Sequence, residues 1–385
     1  MICDNLTVSN GRLLFAGQDT VELARQYGTP LYLMDEDRIR ANCRVYTEAF
    51  RRHFGPGARP LYASKANSFQ RIYEIMREEG MGIDVVSSGE IYTALRAGYD
   101  LGQAYFHSNN KTDEDIRYSM DHGIGYFVAD NVEEIKAIEA AEEIPLFPLR
   151  QPHVELVGFH CHVGSQVFAE DVFERAAVIM LEFAAHMEKA HGYQTRQLDL
   201  GGGYGVRYTE EDETIDIPAR LREVALHLRR ETEKHGLPMP RFLMEPGRSI
   251  VADAGMTLYT VGSIKRIPGY KQYAAVDGGM TDNPRYALYQ SRYTVYHGSK
   301  TGPTERFDVV GRCCESGDII QPHVELPADT CRGDILAVCT TGAYNYSMAS
   351  NYNRLPRPPI VMLTPEGSYT AVRRETFADL TALDE

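Results

Sequence analysis

The sequence predicts an α/β protein: a (β/α)8-type barrel that is one strand short, joined to a C-terminal all-β domain. Three observations predict it. Apolar runs suited to strands recur roughly every 21 residues from about residue 60, the alternation expected of parallel strands and crossover helices. Several are followed by a helix-start signal, Ser87-x-x-Glu90, Thr112-x-x-Asp115 or Asn131-x-x-Glu134, where a side-chain acceptor and a carboxylate three residues later cap free N–H groups. Beyond about residue 260 the apolar runs continue with few helical stretches between them.

In chain order, Leu6-Thr7-Val8, an Asn10-Gly11 turn and Leu13-Leu14-Phe15 read as a β-hairpin. Residues 1–30 are expected to join the β-domain, 31–260 to form the barrel, and 261–385 to complete the β-domain. Barrel strands are expected at Leu61–Ser64, Ile83–Val86, Ala104–Phe106, Tyr126–Val128, Leu156–His160, Gln197–Leu200 and Phe242–Glu245, with helices over about 170–190 and 218–235. An eighth strand is due near 147. There Ile144-Pro145-Leu146-Phe147-Pro148 puts two prolines where a central ladder needs donors, so the barrel lacks a unit. The β-domain is expected to carry strands at Val261–Ile267, Tyr273–Val276, Tyr293–Tyr296, Phe307–Val310, Ile335–Thr340, Ile360–Leu363 and Tyr369–Arg373.

Composition narrows the function. With 40 basic and 54 acidic side chains the chain carries a net charge of −14 and shows no local basic patch, which argues against nucleic acid or an anionic membrane as partner. No apolar run is long enough to span a bilayer. The seven cysteines are odd in number and lack C-x-x-C spacing, so they read as reduced thiols, and the N-terminus shows no targeting signal. The expected location is the cytoplasm.

In (β/α) barrels chemistry sits where strands end. Lys65 follows the first expected strand, flanked by apolar residues that would lower its pKa as a Schiff-base lysine requires; a snorkelling surface lysine is the plainer reading. His160 and His162 fall on one strand face, able to bind metal, to stack on a flat cofactor or to pair in a core. The Gly201-Gly202-Gly203 loop suits a phosphate or a tight turn, and Val206 argues against a dinucleotide fingerprint. Glu245-Pro246-Gly247-Arg248 brings a carboxylate and a guanidinium to the same end, for a pyridinium and a phosphate or for a plain salt bridge. Together these groups match what pyridoxal 5′-phosphate needs, with no metal.

Tyr62-Ala63-Ser64-Lys65-Ala66-Asn67, His162-Val163-Gly164-Ser165-Gln166, the triple glycine and Glu245-Pro246-Gly247-Arg248 resemble the fold-type III pyridoxal-phosphate decarboxylases, with their alanine racemase-like barrel and β-domain. Asp277 to Arg285, Cys314-Glu315-Ser316-Gly317-Asp318, Gly342-Ala343-Tyr344 and Ser350 to Asn353 resemble the branch that converts meso-diaminopimelate to L-lysine and CO2, the last step of lysine biosynthesis. The resemblance implies that Lys65 bonds the cofactor covalently and His162 stacks on its ring. Glu245 pairs with the ring nitrogen, while Ser165, Gly202, Gly203, Pro246, Gly247 and Arg248 surround the phosphate. Arg248, Arg285, Tyr289, Glu315 and Tyr344 bind substrate, with Tyr344 also near the cofactor, and Cys314 donates a proton. It further implies a homodimer with shared sites, the Cys314 loop coming from the partner.

Two departures stand out. Roughly 40 residues of the family pattern, including a strand with an Arg-x-Asn-Pro motif, are absent between Glu143 and Leu156, and Tyr286 stands where the family has proline. Alternative readings are an ornithine- or arginine-type decarboxylase, a catalytically impaired regulatory relative, and a metal-dependent hydrolase using His160 and His162.

Overall fold

Seven short apolar runs become seven parallel strands. The computed structural model describes residues 1–141 and 154–385. Its parallel sheet runs, edge to edge, through Tyr126–Phe127, Tyr105–Phe106, Gly82–Val85, Arg59–Ala63, Arg241–Met244, Gln197–Asp199 and Gly158–His160. Each falls within or overlaps an expected strand. The sheet is strongly curled: Tyr105 and Gln197, on strands separated by three others, meet through a hydrogen bond of 2.7 Å. Leu61, Tyr105 and Leu243 pack inside this curl, and Tyr105 stacks on Tyr126 with ring centroids 4.4 Å apart. The expected break near 147 lies in residues 142–153, outside the described residues. Among the described residues no strand joins the Tyr126–Phe127 edge to the Gly158–His160 edge.

The helix-start signals act as read. Ser87 Oγ accepts the Glu90 N–H at the start of Ser88–Arg96, Thr112 and Asp115 form a reciprocal capping box before Asp113–Asp121, and Asn131 Oδ1 accepts the Glu134 N–H before most of Val132–Ala141. Two longer helices, Val172–His191 and Ile217–His235, end in left-handed Gly192 and Gly236.

The chain divides into two compact units, each assembled from separated stretches: Arg40–Gly205 with Ile215–Ser249, and Met1–Ile39 with Val206–Thr214 and Ile250–Glu385. The parallel sheet belongs to the first. In the second, the N-terminal hairpin forms with Ser9 opposite Arg12 and positive φ at Asn10 and Gly11, and it extends to Gln18–Asp19 as a three-stranded sheet of its own. Ile2, Leu6, Leu13 and Phe15 share one core with Leu31, Leu33, Met256, Leu258, Ala337 and Val361.

The larger sheet of this unit has nine strands built around Gly255–Arg266. Two sequence expectations change here. Leu31–Asp35, read as the start of the barrel, lies between Gly255–Leu258 and Ile360–Leu363 in this sheet; all five of its residues are buried, a pattern that suits any two-sided sheet. Ile319–Pro327, not anticipated, pairs with Thr304–Val310 as the outermost strand, where its prolines remove no interior donors.

Candidate active site

The carboxyl ends of the parallel strands gather the ionisable groups. Arg59–Ala63 runs into a single turn, Ser64–Ala66, which carries Lys65 on the exposed side while Ser64 and Ala66 are buried. Gly247 lies against it: a Cβ there would come within 3.0 Å of those of Ala63 and Ala66, and Pro246 accepts the Ala63 N–H at 3.2 Å. The Glu245–Arg248 turn is thereby fixed beside Lys65.

The glycine loop packs backbone to backbone. A side chain at Gly202 would fall 2.0 Å from the Glu245 carbonyl oxygen, and Gly203, at φ 129°, approaches the Gly164 carbonyl so closely that a Cβ would lie 2.2 Å from it. Val167 N–H donates to the Gly203 carbonyl at 2.9 Å. Next to this junction Arg248 donates to Ser165 Oγ at 2.9 Å. Gly202, Gly203, Ser165 and Arg248 thus form one polar rim. His162 is exposed beside Gly201; its pKa is lowered by desolvation and then by the Lys65 ammonium.

Beneath the rim lies a cluster that sequence reasoning reached only in part. Glu245, 5% exposed, has one oxygen 2.5 Å from His107 Nε2 and the other 3.4 Å from His160 Nε2. His107 Nε2 is also 3.8 Å from Asp84, and the two imidazole rings meet edge to face at 4.8 Å. Asp199 accepts the Gly201 N–H at 2.8 Å, but its second oxygen and both oxygens of Asp84 have no hydrogen-bond partner among the described residues. Burial would lower the pKa of His107, yet Asp84 and Glu245 outweigh it and raise it to about 9. Burial opposes ionisation of Glu245, yet His107 and His160 hold it well below the usual carboxylate range. Asp84 is raised to about 6, and Asp199 well above its ordinary value, by burial first.

His107, His160 and Glu245 are the described group whose spacing could take a metal ion, and His162 is not in it. The 2.5 Å approach of His107 to Glu245 is an ion-pair distance, shorter than two tetrahedral zinc ligands at about 2.1 Å bonds allow. The cluster suits a ring nitrogen better: one buried, ionised carboxylate at the strand ends, with unsatisfied oxygens around it, below a rim able to take a phosphate. Asp84 and His107 were missed although each sits at a strand end; Asp199 was seen only as part of the strand before the glycines.

The other predicted residues belong to the second unit. Arg285 opens the short helix Arg285–Tyr289, with its guanidinium over the Tyr289 ring at 4.5 Å and the Tyr344 ring at 5.3 Å. Tyr286 lies in the same turn with helical geometry, so proline's fixed φ is not needed there. Cys314 and Glu315 are exposed on a loop where Asn353 accepts the Cys314 N–H at 2.7 Å.

The class this fold defines is that of the pyridoxal-dependent decarboxylases: residues 36–148 and 139–252 match the family described as "Pyridoxal-dependent decarboxylase, pyridoxal binding domain". Within that class the chain belongs to the diaminopimelate decarboxylases. Diaminopimelate decarboxylase of Bacillus subtilis (strain 168) is 37% identical over 425 aligned residues, covering 97% of this chain and 95% of the relative. The crystal structure of diaminopimelate decarboxylase from M. jannaschii in co-complex with L-lysine superposes with a TM-score of 0.91 at 30% identity, covering 99% of this chain and 98% of that one. The Helicobacter pylori enzyme complexed with L-lysine gives 0.83 at 29% identity, over 94% and 98%. The alignment with the Bacillus protein is longer than the chain's 385 residues, so that relative carries at least 40 residues without a counterpart here. The two family matches overlap at 139–148, the place where the sequence pattern loses a unit.

Proposed function

We propose that this chain decarboxylates meso-2,6-diaminopimelate to L-lysine and CO2 with pyridoxal 5′-phosphate, and that it works as a cytoplasmic homodimer. The observation that carries the reading is the convergence, at one end of one sheet, of Lys65, the Glu245 cluster and the Gly202–Gly203–Ser165–Arg248 rim, in a chain similar from end to end to diaminopimelate decarboxylases. When bound, the cofactor supplies an electron sink for the pair released as the carboxylate leaves.

Residues of the two identical chains do the rest. Lys65 Nζ is the covalent anchor, and Glu245 holds a proton at the ring nitrogen. Gly202, Gly203, Ser165 and Arg248 bind the phosphate through N–H, hydroxyl and guanidinium donors, with Pro246 and Gly247 shaping the turn. The His162 ring covers one face of the site, its lowered pKa favouring the neutral form against the Lys65 ammonium. Arg285, braced on Tyr289 and Tyr344, pairs with a substrate carboxylate, and Glu315 with an ammonium; Arg248 adds a second guanidinium. A substrate with amino-acid groups at both ends needs both signs of charge, which ornithine does not. Cys314 Sγ gives the proton that replaces CO2, from the partner's copy of its loop.

The test is lysine formation from meso-diaminopimelate by purified protein with added cofactor, beside ornithine and arginine. Lysine as the sole product supports the reading. Product from ornithine or arginine instead reassigns the substrate, and cofactor binding without turnover of any of the three marks a regulatory relative.

A further inference from the structure

A carboxylate as buried as Glu245 tends to protonate, and a protonated Glu245 offers a ring nitrogen no charge. We propose that His107 is a positioning residue for the reaction: seated between Asp84 and Glu245, its imidazolium keeps Glu245 ionised and fixes which oxygen stays turned to the ring. The inference rests on the reading above and adds to it a residue that the family motifs did not supply.

The backbone of His107 is set by the ladder, its N–H donating to the Val85 carbonyl at 2.8 Å just past Tyr105–Phe106. From there Nε2 reaches one Glu245 oxygen at 2.5 Å and Asp84 at 3.8 Å, while His160 approaches the second Glu245 oxygen at 3.4 Å. Among the described residues the ionisable groups facing this point are Asp84, Asp199, Glu245, His160 and His162, with Lys65 and Glu90 acting on Asp84. Asp199 is held toward its neutral form by burial and by Glu245. With His107 charged, Asp84 and Glu245 leave the cluster one net negative charge, the match for one ring cation. With His107 neutral, two buried carboxylates would repel, and one would take up a proton. The rise of His107 to about 9 is in keeping with this arrangement through neutral pH.

The experiment uses the holoenzyme and His107→Gln. Expected are an acid limb of the kcat profile moved up by about one pH unit or more, a parallel shift in the pH dependence of cofactor absorbance, and a KM for diaminopimelate changed less than about twofold. In a Glu245→Gln background, His107→Gln should add little further loss, because its route through Glu245 is already gone. An unmoved acid limb, or losses that multiply in the double variant, would overturn the proposal. If His107→Gln does not fold, Asp84→Asn carries the test: lacking one anion, His107 should lose its proton sooner and the alkaline limb should move down, and an unmoved limb would overturn the proposal. Wild-type protein that neither binds the cofactor nor releases lysine refutes the underlying reading instead, so the two failures are distinct.

Discussion

Asp318 and Asp84 are both almost fully buried, at 5% and 1% exposure, yet the fold treats them in opposite ways. Asp318 accepts the Met280 and Cys313 backbone N–H groups, each at 2.6 Å, and so ties the loop after Gln272–Val276 to the loop carrying Cys314 and Glu315. Close by, Asp282 accepts the Gly279 N–H at 2.9 Å and the Tyr259 hydroxyl at 2.5 Å. Both oxygens of Asp84 lack such partners. A carboxylate sated by backbone donors holds loops in shape. One left unsated among imidazoles holds charge in reserve for a visitor, and the difference separates framework from chemistry.

The strongest challenge to the chemical region is Lys65→Ala. It should reduce CO2 release from diaminopimelate to the level of a no-enzyme control while leaving the unfolding midpoint near that of wild type, and measurable turnover with cofactor present would break the assignment. On the framework side, Asp318→Ala strands two backbone N–H groups and should cost about 2–4 kcal/mol in urea unfolding.

Asp282→Asn separates the two kinds of carboxylate by pH. Burial raises Asp282 to about 7, so between about pH 4 and 7 the folded state binds a proton that the unfolded state has released, and this group's contribution to stability falls as pH rises. The amide cannot ionise. At about pH 4 and below the variant should match wild type, and from there to about pH 7 the gap in its favour should widen by about 1 kcal/mol or a little more per pH unit; parallel stability curves across that range would show that Asp282 does not titrate there. The smallest effect is expected at Thr112→Ala, which removes a capping box five residues beyond His107 without touching the cluster's own ionisable groups: about 1 kcal/mol of stability, with kcat changed less than about twofold.

The seven parallel strands and the helix caps were legible because each rests on neighbours in sequence: a short apolar run, or a Thr with an Asp three places on. The Lys65, glycine-loop and Glu245–Arg248 positions were legible for the same reason. The His107 cluster was not, since Asp84, His107, Asp199 and Glu245 are single residues brought together by the curl of a sheet. Ile319–Pro327 was hidden by Pro322 and Pro327, which read as a loop in sequence and are tolerated on an edge strand. Leu31–Asp35 was visible as apolar, but burial on both faces gives no periodicity from which to choose a sheet.

That last strand has a consequence for the chain as it is made. Leu31–Asp35 leaves the ribosome more than 300 residues ahead of one of its neighbours, Ile360–Leu363. At about 5–20 residues per second the gap lasts on the order of tens of seconds. For that interval a strand of four apolar or aromatic residues and one aspartate has an open edge, so the nascent chain should depend on a holding chaperone until Ile360–Leu363 has followed.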